Sequence, residues 1–116
     1  MIKDKDIYLL MQDLGIPANL KGYEYLRHAI KFVCEDHSYI HALTKRLYPD
    51  IANHLDTTPK RVERAIRHAV DYIITKGNLD IVERYFGHVP ANKRGCYSNG
   101  VVIATLAEYL RYNKED

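Results

Sequence analysis

No stretch of this chain stays apolar for the ~20 residues that a membrane-crossing helix needs, which excludes a spanning segment. The opening residues, MIKDKDIYLL, also lack the basic-then-apolar layout of a secretory signal. Cysteine is scarce. Cys34 and Cys96 allow one disulfide but no disulfide scaffold, and with nothing else pointing to an oxidising compartment, reduced thiols are expected. A glycine-rich phosphate loop, an internal repeat and a low-complexity segment are all missing. Asp50, Asp56 and Asp71, taken with the scattered histidines, make no triad and no paired-carboxylate site. The ten tyrosines read mostly as amphipathic packing residues rather than nucleophiles. These absences leave a cytoplasmic, non-catalytic protein without a cofactor. Its 116 residues suit a single domain over 1–116 with one modest core.

Charge is also in short supply, and its placement says more than its amount. The net charge is only +2. Residues 1–40 carry five Lys/Arg against six Asp/Glu, and residues 77–116 carry five against five. Residues 41–76 carry seven against four, so the basic excess is a patch in the middle third.

What is present is helical periodicity. Ile7, Leu10, Met11 and Leu14 recur at i, i+3, i+4, i+7 and predict a first helix closed by Gly15. A second helix is expected from about Leu20 to Asp36, with Tyr23, Leu26, Ile30 and Val33 on one side and Lys21, Arg27 and Lys31 on a solvated face. Gly22 costs that helix some propensity near its start. Cys34, His37 and His41 have helical spacing but no fourth ligand nearby, so capping or surface roles are expected and no metal. A short turn over Ala42–Arg46 leads to a helix of about two turns, with Pro49 in its first turn and Ile51, Ala52 and Leu55 inward.

Asp56-Thr57-Thr58-Pro59 stops that helix and starts another, with Thr58 as N-cap and Pro59 at the first helical position. From Pro59 to Lys76, Val62, Ala65, Ile66, Ala69, Val70 and Ile73 fill one half of the helical wheel. Lys60, Arg61, Glu63, Arg64, Arg67, His68 and Asp71 fill the other. Gly77 is expected at the C′ position, and Asn78 caps a short helix with Leu79, Val82 and Phe86 inward. Residues 88–97 predict a surface loop in which Lys93 and Arg94 can touch phosphate. Ser98 or Asn99 opens a last helix with Val102, Ile103, Leu106 and Leu110 inward.

A short helix, a tight turn and a basic amphipathic helix over Leu47–Lys76 form the arrangement that enters the DNA major groove. One apolar face docks on a scaffold, and one polar face without bulky apolar groups meets the base edges. Arg61, Arg64, Arg67 and His68 lie on one strip, and the arginine fork matches guanine O6 and N7. Glu63 can accept from cytosine N4 or pair with Arg67 one turn on, and Lys60 suits a phosphate. Double-stranded DNA is therefore the expected partner. The competing expectation is a protein-interaction module or anti-regulator that kept the fold and lost DNA, in keeping with the small net charge.

The segments GIPANLKGYEYLRHAI, TKRLYPDIA, TTPKRVERAIRHAV, KGNLD and FG resemble the C-terminal effector domains of the stage zero sporulation protein A family, phosphorelay response regulators of entry into sporulation. The resemblance runs from about Ile7 to Tyr112, and RVERAIRHA is its most specific block. It implies an all-α fold of about six helices around a central helix-turn-helix, of winged-helix-like or effector-domain type but without strands. It also implies DNA reading by Arg61, Glu63, Arg64, Arg67 and His68, and pairing as a homodimer on tandem promoter boxes. Lys76, Gly77, Asn78 and Asp80 match the region that faces the RNA polymerase sigma subunit. Three features depart from the family: Ile74-Thr75-Lys76 stands where a tryptophan is usual, the 88–97 loop keeps little beyond basic character, and Tyr97 and Gly100-Val101 replace the usual residues at the last helix start. The family's phosphorylated receiver has no counterpart in these residues, which fits either a separated effector domain or a free-standing relative. For the latter, control by abundance or by competition for boxes is expected.

Overall fold

The computed structural model describes residues 2–89 and 97–114 of the chain, and its organising element is the second helix. The helices are α1 (Asp4–Asp13), α2 (Lys21–Glu35), α3 (Tyr48–Leu55), α4 (Pro59–Lys76), α5 (Leu79–Phe86) and α6 (Asn99–Lys114). A 3-10 turn at His37–His41 and a wide, π-helical turn at Leu43–Leu47 join α2 to α3. No strand occurs among the described residues, so the fold is all-α. No described helix is long and apolar enough to cross a membrane.

Helix α2 packs against α4, α6, α1 and α3, and its Leu26, Ala29, Ile30 and Val33 are fully buried. The predicted inward faces of α1 and α6 are buried as well: Ile7, Leu10, Met11 and Leu14 on one, Val102, Ile103, Leu106 and Leu110 on the other. Of the cations expected on the open side of α2, Arg27 pairs with Glu24 at 2.6 Å and Lys31 reaches Asp4 of α1 at 2.9 Å.

Gly22 is a requirement of packing rather than a weakness in α2. A Cβ there would lie 2.1 Å from the carbonyl oxygen of Ala65 and 2.8 Å from Cβ of Ala69. The two backbones meet at that point because Ala65 and Ala69 are themselves small.

Two expectations change in the structure, and a third is resolved between its two alternatives. Gly77 ends α4 with an extended backbone (φ −71°, ψ 164°) and not a left-handed one. It is needed for space: a Cβ there would come within 2.4 Å of the Ile73 carbonyl oxygen and 3.1 Å of Val82 on α5. Leu79 does not face inward with Val82 and Phe86. It is 44% exposed at the start of α5, whose packed side is Ile81, Val82, Tyr85 and Phe86. Of the two residues expected to open α6, Ser98 is the cap, its hydroxyl accepting from the Val101 N–H at 3.2 Å, and Asn99 is buried.

The caps of the central helices follow the sequence reading. Thr58 accepts from the Arg61 N–H at 3.3 Å, and Asn78 accepts from those of Asp80 and Ile81 at 3.0 and 3.4 Å. The basic loop expected over 88–97, with Lys93, Arg94 and Cys96, lies mostly outside the described residues.

Because the neighbour of Gly22 is backbone, it has no rotamer by which to give way. Gly22→Ala is expected to destabilise the fold by about 1–3 kcal/mol, as overpacked cores do. Urea denaturation checks this, and an unchanged midpoint would refute the close approach.

Candidate nucleic-acid interface

Two helices and three residues build the candidate interface. At the end of α3, Asp56 adopts a left-handed conformation (φ 54°), which aspartate tolerates better than most residues. The Thr57 N–H donates to the Ala52 carbonyl at 2.9 Å, and Thr58 with Pro59 then starts α4. The turn Asp56–Thr58 is thus closed by its own backbone.

Helix α3 is braced from behind by an aromatic group. The His28 and Phe32 rings of α2 meet His54 of α3 at 5.4 and 6.0 Å, and Phe32 stacks on Tyr39 at 5.9 Å. The Tyr39 hydroxyl donates to Asp50, a bond that holds its pKa above the usual phenol range. Arg46 lies over the Tyr39 ring at 4.4 Å and pairs with Asp36 at 3.2 Å, so this cation is part of the brace.

On α4 the apolar half is buried as expected, through Val62, Ile66, Ala69, Val70 and Ile73, with Ala65 half-buried. Lys60, Arg61, Glu63, Arg64 and His68 are exposed. Their side chains have no hydrogen bond or ion pair with any described residue. The expected pair between Glu63 and Arg67 does not form. Arg67 turns the other way, donating to the Tyr97 carbonyl at 2.9 Å and standing 4.0 Å from Asp71. The structure thus brings five of the six predicted α4 residues together on an open strip. It places the sixth as a half-buried strut to the start of α6.

Asn99 is a positioning residue beside the strip that the sequence reading missed. It is 5% exposed, and its Nδ2 donates to the Tyr48 hydroxyl and to the Glu63 carbonyl, both at 3.2 Å. One amide therefore ties the start of α6 to the first residue of α3 and to the middle of α4. Burial raises the Tyr48 pKa above the usual phenol range. Asn99 Oδ1 is buried with no partner among the described residues. The contacts span 51 and 36 residues of sequence, so no local pattern could have shown them.

An open groove of about 480 Å³ lies beside this clasp, where Thr44, Arg64 and Ser98 line the approach to Asn99. Lys45, in the preceding turn, is exposed. The other candidates are dispersed. Cys34 sits against the Ala107 carbonyl at 3.8 Å, with its thiol pushed up to about 11 by burial. His37 bonds Arg111 at 2.8 Å, and His41 is exposed. Among the described residues no three His, Cys, Asp or Glu side chains gather into a metal site.

An exposed basic helix, capped at its start, docked by small residues and preceded by a short braced helix, has the geometry of a helix-turn-helix reader. The family model described as sporulation initiation factor Spo0A C terminal matches residues 7–110. The chain belongs to that family. Its members are DNA-binding domains of sporulation and transcription regulation, and it is not a family of enzymes.

Removing the clasp leaves the Tyr48 hydroxyl and the Glu63 carbonyl without their donor. Asn99→Ala is expected to cost about 1–3 kcal/mol of stability. Asn99→Asp is expected to cost more, since it sets a buried carboxylate against a carbonyl oxygen. Denaturant titration of the two variants checks the order, and an aspartate variant as stable as wild type would remove the clasp.

Proposed function

We propose that this domain reads a specific duplex sequence with α4 in the major groove. The observation that carries the reading is the strip of Lys60, Arg61, Glu63, Arg64 and His68, exposed and without partners among the described residues. Side chains left without intramolecular bonds keep their donors and acceptors for a ligand. Arg61 and Arg64 suit guanine edges through their two-pronged forks, and Glu63 suits a cytosine amino group. Lys60, in the first turn of α4, suits a phosphate. Arg67 acts mainly by position: its guanidinium holds the Tyr97 carbonyl and so fixes the chain entering α6.

Two further surfaces belong to this reading. Lys76 and Asp80 are exposed at the α4–α5 corner and are proposed to meet the RNA polymerase sigma subunit. Their neighbours are engaged in structure, Gly77 in close packing and Asn78 in capping α5. Pairing of two copies on tandem sites is proposed as the arrangement on DNA.

Selection of bound duplexes from a random pool supplies the test. On the selected site, Arg64→Ala is expected to cost about 1–3 kcal/mol and relax the preference at one position. Lys60→Ala should weaken all duplexes alike and reduce the salt slope by about 1. Equal losses for Arg64→Ala on selected and random duplex would count against base reading. Absence of any duplex binding at low salt would leave the interaction-module alternative.

A further inference from the structure

Residues 97–99, the entry to α6, grip α4 beside its open strip. The Tyr97 carbonyl accepts from Arg67 at 2.9 Å, and Asn99 donates to the Glu63 carbonyl at 3.2 Å. Glu63 and Arg67 are one helical turn apart, so both bonds land on one face of the turn that also carries Arg64. Two attachments one turn apart resist both a slide along the helix axis and a roll about it. The place Arg64 takes in a groove therefore depends on how firmly residues 97–99 are themselves held.

The Tyr97 side chain holds them, and it does so from the opposite side. Its hydroxyl reaches the Phe86 carbonyl at 3.2 Å and the His88 carbonyl at 3.4 Å, one phenolic proton shared between two acceptors. Phe86 ends α5, where the last carbonyls have no partner within the helix, so the hydroxyl also closes that end. The half-buried Tyr97 ring lies against Phe86 with centroids 5.5 Å apart. Helix α5 is anchored in turn by the buried Val82 and by the Tyr85 hydroxyl, which donates to Asp13 of α1 at 2.6 Å. Tyr97 thus faces two ways, its carbonyl towards α4 and its side chain towards α5.

Resting on the major-groove reading of α4, we propose that Tyr97 is a positioning residue for duplex recognition. It touches no base. Through its own carbonyl and Arg67, it relays the fixed place of α5 to the turn that bears Glu63 and Arg64. A loose entry to α6 would let that turn settle at several angles in the groove. Hydrogen bonds to base edges weaken steeply with misalignment, whereas attraction to phosphates acts over several ångströms and tolerates such play. Loss of the strut therefore lowers discrimination between sequences rather than affinity for DNA as such.

The test compares wild type with Tyr97→Phe, which keeps the ring and the carbonyl and removes only the hydroxyl. Affinity is measured for the duplex selected from a random pool and for random duplex. The ratio of the two is expected to fall about fivefold, the worth of one hydrogen bond, with random duplex bound as before. Phe86→Leu, which takes away the ring against Tyr97, is expected to lower the ratio too and serves should Tyr97→Phe not fold. In an Arg67→Gln background the hydroxyl is expected to have no further effect, because the relay is already cut. An unchanged ratio in a folded variant, equal losses on both duplexes, or full additivity with Arg67→Gln would overturn the proposal. Wild-type protein that binds no duplex even at low salt would instead overturn the major-groove reading itself, and this role with it.

Discussion

The backbone of α2 at Gly22 lies so close to α4 that even a methyl group would collide with the Ala65 carbonyl. Contact at that range fixes both the distance and the roll of α4. A turn of α4 by one residue, about 100°, would carry charged side chains into a core that has no water to receive them. Helix α2 also carries α1 and α6 on its other sides, so the same contact relates the basic strip to the rest of the core. The arrangement depends on three small residues, Gly22, Ala65 and Ala69, more than on any charged one.

Much of this was legible because it is local. The helical period of α4 marked its buried half, and the caps at Thr58 and Asn78 follow from side chains that bond within three residues of themselves. Exposure of Lys60, Arg61, Glu63, Arg64 and His68 follows from the same wheel. What escaped was set by tertiary partners. A glycine after a helix suggests a left-handed residue, but at Gly77 a Cβ would meet the Ile73 carbonyl first and then Val82 on α5, which cannot be docked from sequence alone. Glu63 and Arg67 have the spacing of an ion pair, yet a carbonyl thirty residues further on offers Arg67 a better-placed acceptor. Asn99 reads as a helix cap until the fold brings Tyr48 and Glu63 to it.

These long-range polar contacts divide the basic residues into two kinds. Arg46 and Arg67 spend their guanidinium groups on the fold, one on the Asp36–Tyr39 brace and the other on the Tyr97 carbonyl. Arg61 and Arg64 make no such bonds among the described residues. A count of cations in the middle third treats all four alike, although only the second pair is without partners among the described residues. The modest net charge is therefore a poor guide to binding strength.

The partner-free strip on α4 has an evolutionary consequence. Since its side chains make no bonds among the described residues, replacing them leaves the scaffold almost untouched. Substitutions there can accumulate one residue at a time without passing through unfolded intermediates. Arg67 and Asn99 have no such freedom, because each is held by the architecture it supports.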